Sequence, residues 1–112
     1  MGERGQLQIG KVYLYTHWEG DKLKETLKTA LSRKERWDDE EYLARIIFCE
    51  MVKGSQDETT GYGIGTQQHN DLNYPLLVID VKNQKVWEKE TDYSYEPVLL
   101  EQTSFEEFIK CD

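Results

Sequence analysis

Residues 37–54, WDDEEYLARIIFCEMVKG, decide the fold because they carry a full set of helix signals. Asp38 stands at the predicted N-cap and Glu41 follows three residues later, which is the spacing of a capping box. Trp37 and Tyr42 occupy the two flanking positions of a hydrophobic staple. The pattern therefore predicts a well-defined central helix.

Most of the circumference of this helix is apolar. The apolar positions after the cap are Leu43, Ala44, Ile46, Ile47, Phe48, Cys49, Met51 and Val52. A helix with this distribution is expected to be covered on more than one side. Cys49 has apolar neighbours in the sequence, which predicts an inert thiol that does not act as a nucleophile. Gly54 is expected to end the helix in the left-handed conformation.

The length and composition indicate a single domain over residues 1–112 with one core and no need for disulfides or metals. The formal charge of −8 argues against a nucleic-acid partner, and it agrees equally with a basic partner and with plain surface solubility. Two cysteines are too few for a secreted disulfide framework. No signal peptide or membrane-spanning run is evident, so we expect a cytoplasmic protein that does not contact membranes.

The segments before the central helix alternate between strand and helix patterns. Residues 7–9 and 12–18 are rich in aliphatic, β-branched and aromatic side chains, which predicts two strands. Asp21 begins a second helix, whose apolar positions are Leu23, Leu27, Ala30 and Leu31. Because only about five residues separate this helix from the central one, the two are expected to form an antiparallel hairpin.

The second half of the chain predicts further strands and one short helix. These elements are a strand at 76–81, a turn at 82–85 with Asn83 at positive φ, a returning strand at 86–89, an edge strand at 98–100 and a helix at 105–110. The first of these strands is apolar on both faces, so we expect it in the centre of its sheet. Ser104 is the expected cap of the last helix.

Together the elements predict an α+β fold, with an antiparallel sheet of about five or six strands, a two-helix hairpin on one face and a short C-terminal helix. Gly61, Gly63 and Gly65 would share one face of a further strand. Such a row favours close approach by a helix or another backbone. The segment lacks the lysine of a phosphate-binding loop.

The strand at 12–18 has two different faces and supplies the candidate site. Its geometry sends Val12, Leu14, Thr16 and Trp18 towards a core and sends Tyr13, Tyr15 and His17 the other way. Strand ends beside helix starts are common binding places. The candidate ligand- or partner-binding residues are Tyr13, Tyr15, His17, Trp18 and Arg45. The competing interpretation makes Trp18 a core residue and Arg45 a surface ion-pair partner of Glu41.

The sequence predicts no catalytic residue, no cofactor and no metal site. The two histidines lack a closely spaced Cys or His partner, and His69 lies in a polar loop with no evident second ligand. Four consecutive acidic residues, 38–41, do not converge on a cation when they are helical. No combination of nucleophile, base and orienting group is recognisable.

Three segments carry a resemblance to known sequences: residues 2–5, residues 14–20 with Tyr15-Thr16-His17-Trp18, and residues 36–49 with Arg36-Trp37-Asp38-Asp39. They resemble a group of short, uncharacterised bacterial and phage-associated proteins, over about residues 2–80. This resemblance implies no activity. The order of elements also resembles the start of N-terminal-nucleophile hydrolases, although Met1 and Gly2 offer no nucleophile.

The expected function is that of a non-enzymatic binding or interaction protein, such as an accessory protein of a mobile element. The expected partner is a protein or a second copy of the chain, because tyrosine-rich surface on the strand face of Tyr13 and Tyr15 is typical of interfaces. The alternative is a small hydrolase or ligand-binding protein with a pocket near His17, Trp18 and Arg45.

Overall fold

The computed structural model describes residues 3–91, 97–98 and 100–110. Its strands are β1 (Gly5–Ile9), β2 (Val12–Thr16), β3 (Tyr62–Gly65), β4 (Leu76–Asp80), β5 (Lys85–Lys89) and β6 (Thr103–Ser104). Its helices are α1 (Leu23–Leu31), α2 (Glu40–Met51) and α3 (Phe105–Lys110), and a 3-10 turn at Gly20–Lys22 leads into α1. The predicted α+β fold is confirmed.

The six strands form one sheet in the order β3-β2-β1-β4-β5-β6. Neighbouring strands are antiparallel except β1 and β4, which run parallel with Leu7 beside Leu77 and Ile9 beside Ile79. The β1–β4 pair therefore joins two antiparallel halves of the sheet. The central position predicted for the apolar strand at 76–81 is confirmed.

The core lies between one face of the sheet and the three helices. Buried side chains of β1, β2, β4 and β5 pack with those of the helices in a single cluster whose members include Leu7, Leu14, Leu27, Leu31, Leu43, Ile47, Ile79, Val86, Phe105 and Phe108. The rings of Trp37 and Phe105 meet edge to face with centroids 5.4 Å apart, which places α3 beside the helical hairpin. All three helices thus cover the same face.

The central helix begins one residue later than the capping pattern predicts. Asp39 is the N-cap, and its Oδ1 accepts a hydrogen bond from the backbone N–H of Tyr42 at 3.2 Å. The prediction that Asp38 caps the helix is wrong, and Tyr42 lies under the Arg36 guanidinium at the surface. Gly54 has a φ of 85°, as expected after the helix.

The apolar circumference of α2 is only partly covered. Leu43, Ile47 and Met51 are buried, but Cys49 is exposed, so its apolar sequence neighbours do not enclose the thiol. The sheet and α1 cover one broad stripe of the helix, and no described segment packs on the side that carries Cys49. The hydrophobic pattern of a helix does not reveal how many other segments of the fold pack against it.

The β4–β5 hairpin is confirmed, but its left-handed residue is not the predicted one. Gln84 has a φ of 53°, whereas Asn83 uses its side chain to donate to Asp80 Oδ2 at 2.8 Å. The backbone N–H of Asn83 also donates to Asp80 Oδ1 at 3.2 Å. These hydrogen bonds, chiefly the side-chain one, lower the pKa of Asp80 because they stabilise its carboxylate.

The edge strand next to β5 is Thr103–Ser104 instead of residues 98–100. Val98 and Leu100 are not in a strand, and residue 99 lies outside the described residues. Leu100 still accepts a hydrogen bond from the Glu88 backbone N–H at 2.9 Å. The Ser104 hydroxyl accepts from the Glu107 backbone N–H at 3.1 Å, so the predicted cap of α3 is confirmed.

The loop of residues 66–75 crosses the sheet face that points away from the helices. Asn73 and Arg4 exchange two hydrogen bonds of 2.9 Å, which tie this loop to the start of β1. The buried Gln6 side chain donates to the Gln67 carbonyl and accepts from the His69 backbone N–H. The loop therefore closes one end of this face and leaves the other end uncovered by described residues.

We expect Asp39→Ala to destabilise the protein by about 1 kcal/mol through loss of the cap, and the matched change Asp38→Ala to have a much smaller effect. Ile47→Ala should cost roughly 2–5 kcal/mol because it opens a cavity in the core. Urea unfolding of the three variants ranks them. A larger effect of Asp38→Ala than of Asp39→Ala would contradict the observed helix start.

We expect Asn83→Ala to return the Asp80 pKa towards its usual value of about 3.9. A lowered folded-state pKa contributes stability above the unfolded-state pKa, and that contribution is lost as the pH falls through the folded-state value. The variant should therefore be less stable than the wild type at neutral pH, with the difference shrinking in acid. Carboxyl NMR titration measures the Asp80 pKa, and urea melts at neutral and at acid pH measure the stability of both proteins. A loss of stability in Asn83→Ala that is the same at both pH values would contradict this prediction.

Candidate functional site

The end of β2 turns Trp18 away from the core. The Thr16 hydroxyl accepts hydrogen bonds from the backbone N–H groups of Trp18 and Glu19 at 3.3 and 3.1 Å. Because these bonds end the strand at Thr16, the period-two pattern stops before Trp18. The Trp18 side chain is 55% exposed, so the interpretation of this residue as part of the core is wrong.

The Trp18 indole lies against the backbone of Gly61. A Cβ on Gly61 would collide with Nε1 and Cδ1 of Trp18, and the φ of 95° also favours glycine here. The Gly61 carbonyl accepts a hydrogen bond from the His17 backbone N–H at 2.8 Å. The ring is therefore exposed on one side and in contact with Gly61, next to β3, on the other.

The other two glycines of β3 do not support the predicted close packing. Gly63 and Gly65 have no described atom within 4 Å of the position that a Cβ would take. They pair with Tyr15 and Tyr13 of β2 and so lie on the face turned away from the helices. The prediction of close approach by a helix or backbone is wrong at these two positions.

Tyr15 and His17 form an aromatic cluster with His69 from the loop. The Tyr15 hydroxyl lies 3.0 Å from His17 Nδ1, and the Tyr15 ring stacks on His69 with centroids 4.3 Å apart. His17 in turn meets the Trp18 ring edge to face at 4.4 Å. A continuous chain of four rings thus runs from the covered end of the sheet to the exposed indole.

An ion pair lies beside this cluster, with Arg4 Nε 3.5 Å from Asp71 Oδ2. Burial raises the pKa of Tyr15, and the negative charge of Asp71 raises it further, while Arg4 opposes the shift. The Tyr15 phenol therefore keeps its proton throughout the neutral range. It acts as a hydrogen-bonding group there and cannot serve as a base.

A cleft of about 360 Å³ opens beside the indole and is lined by Trp18, Ser55, Glu58, Thr60 and Tyr62. The Tyr62 hydroxyl donates to Glu19 Oε1 at 2.6 Å. Burial raises the pKa of Tyr62, and the carboxylates of Glu19 and Glu58 add to the shift. This cleft combines an aromatic surface with oxygen atoms.

The structure brings together three of the five candidate residues, namely Tyr15, His17 and Trp18. Tyr13 lies on the same sheet face as Tyr15, half-buried beside Gln8 of β1. Arg45 is exposed on α2, which packs on the other side of the sheet, and so does not join them.

Sequence reasoning missed the contributions of His69, Gly61 and Tyr62. Only the long-range pairing of β2 with β3, together with the path of the loop, brings these residues to the strand end. The described residues contain no group of three or more His, Cys, Asp or Glu side chains that could hold a metal ion.

Gly61→Ala should destabilise the protein by about 1 kcal/mol or more, because it adds backbone strain and a collision with Trp18. Trp18→Ala and His17→Ala, at the surface, should each change stability by about 0.5 kcal/mol or less. In the double variant Trp18→Ala/Gly61→Ala part of the loss should be recovered. Urea melts measure this cycle, and strict additivity would show that the contact does not position the indole.

Among the residues that the structure describes, no helix has the length and apolar character needed to cross a bilayer. Comparison of the chain with protein-family models, curated proteins and solved structures finds no significant match in any of the three.

Proposed function

We propose that this protein is a non-enzymatic interaction protein whose partner-binding surface is the open face, meaning the side of the sheet that points away from α1, α2 and α3. The observation that carries the proposal is the placement of all three helices on the opposite side. In particular, α3 packs beside the helical hairpin and so does not cover the open face.

The exposed part of the open face is amphipathic and shallow. The side chains of Tyr13, Gln8, Val78 and Trp87 follow one another across β2, β1, β4 and β5, and each is half-buried. Beside them lies a depression of about 230 Å³. Aromatic groups with one polar end are enriched in protein interfaces, because the ring is buried while the polar atom still finds a partner.

A second copy of the chain is the partner that fits this face by shape. Trp87 stands near one edge of the sheet, and the open space at Gly63 and Gly65 lies at the other edge. A two-fold axis parallel to the strands would place Trp87 of each copy over the glycines of its partner. In a two-fold interface the same surface must complement itself, and here a bulky tryptophan of each copy would face the small glycines of the other.

The tyrosines of the candidate site are hydrogen-bonding groups and not bases at neutral pH. Burial raises the pKa values of Tyr15 and Tyr62, so both phenols remain protonated at neutral pH. The alternative of a small hydrolase places Arg45 in a pocket with His17 and Trp18, whereas Arg45 lies across the sheet from them. The geometry therefore supports recognition by surface contact.

At micromolar concentration we expect a mass of two chains, against 13.2 kDa for one. Tyr13→Glu should shift the protein to a single chain, because the interface would bury a new charge. Gly65→Leu should do the same by filling the space that Trp87 occupies, because Gly65 pairs with Tyr13 in the same row of the sheet as Trp87.

Tyr42→Glu, at a 53% exposed side chain on the helical side, is the matched control and should remain dimeric. Sedimentation velocity measures all four proteins. A wild-type mass of one chain, unchanged by Tyr13→Glu, would disprove self-association through the open face.

A further inference from the structure

The cleft beside Trp18 lies on the helical side of the sheet edge and is separate from the open face. Trp18 and Tyr62 flank it, and Ser55, Glu58 and Thr60 come from the segment between α2 and β3. Tyr62 pairs with Thr16, whose buried side chain faces the helices. A ligand in this cleft would leave the proposed dimer surface free.

The polar groups of the cleft are suited to a ligand that only donates hydrogen bonds. Glu58 is an acceptor, and the hydroxyl oxygens of Ser55 and Thr60 can accept as well. Tyr62 donates its proton to Glu19 at 2.6 Å, so its oxygen can only accept hydrogen bonds, and the neighbouring Ser55 side chain already donates to it. A guanidinium group carries five N–H donors and no acceptor.

The charge of the cleft is negative and is not neutralised by a described cation. Within the part of the chain that the structure describes, neither Glu19 nor Glu58 forms an ion pair. Glu58 lines the cleft, and Glu19 lies behind it, where its Oε1 accepts the Tyr62 hydroxyl. A cation entering the cleft would meet the Glu58 carboxylate directly, with the charge of Glu19 nearby.

The indole supplies a flat surface for a planar cation. Its edge lies against Gly61, where a Cβ would collide with it, while the side chain remains 55% exposed. A guanidinium stacks on an indole face and still directs its N–H groups outward in its own plane, whereas an ammonium is a compact, strongly hydrated point charge. This geometry favours arginine over lysine.

We propose that the cleft formed by Trp18, Glu58, Thr60 and Tyr62 binds an arginine side chain of a basic peptide segment in a partner protein. The guanidinium stacks on Trp18 and donates to Glu58 and the neighbouring hydroxyl oxygens. The net charge of −8 adds a long-range attraction for such a segment.

The test uses the full chain, the peptide Gly-Arg-Gly-Arg-Gly and its citrulline counterpart, which keeps the shape but removes the charge. Two-dimensional NMR follows the Trp18 indole N–H and the backbone N–H groups of Thr60 and Gly61 during titration. The arginine peptide should shift these signals in a saturable manner, and the citrulline peptide should bind at least about threefold more weakly. A lysine peptide should fall between them.

Two charge-matched variants separate the cleft from general electrostatic attraction. Glu58→Gln should weaken arginine-peptide binding by about threefold to tenfold, whereas Glu25→Gln, at an exposed position on α1, should change it little. Trp18→Ala, followed by the backbone signals, should weaken binding to a similar extent as Glu58→Gln. The Tyr13→Glu variant should bind the peptide as the wild type does, because its change lies on the open face.

Equal binding of the arginine and citrulline peptides, or equal effects of Glu58→Gln and Glu25→Gln, would overturn the proposal. Shifts that spread over many surfaces without involving the Trp18 indole would overturn it as well. Because Tyr13→Glu tests the open face separately, failure of the cleft and failure of self-association give different results.

Discussion

The fold depends on how the two faces of its sheet are covered. The three described helices pack on only one of these faces. Leucine, isoleucine and phenylalanine side chains fill the space between the sheet and the helices. The opposite face receives the polar loop of residues 66–75 at one end only, anchored through Gln6 and Asn73. What remains is a surface with aromatic side chains at Tyr13 and Trp87. This unequal coverage is the reason to look for a partner on the open face.

The end of β2 illustrates how local hydrogen bonding overrides a side-chain pattern. Thr16 captures the next two free backbone N–H groups, so the strand stops and Trp18 leaves the core. The absence of a side chain at Gly61 leaves room for the exposed indole to lie against the backbone next to β3. The nearby cleft and the open face point in different directions. The molecule therefore has room for two contacts at once.

Because burial periodicity and caps act over a few residues, the sequence was sufficient for the class of fold and for most of the elements, although not for the edge strand at Thr103–Ser104. It was insufficient where distant segments meet. The N-cap of α2 is Asp39 rather than Asp38. The path of the preceding turn decides which of the two side chains reaches the free backbone N–H groups of the helix. Likewise, Trp18 continues the alternating side-chain pattern of β2 in the sequence, but it lies beyond Thr16, where the strand ends. The stacking of His69 on Tyr15 has no local signature, because it follows from the route of a loop.

The parallel pairing of β1 with β4 also bears on how the chain reaches its native state. Arg4 and Asn73, which bond across this pair, are separated by 69 positions in a chain of 112 residues. Contacts between such distant segments require closure of a long loop before they contribute, and they slow folding. During synthesis β1 is made before β4 and keeps one unpaired edge until β4 emerges. The two antiparallel halves of the sheet can therefore join only after β4 has been synthesised.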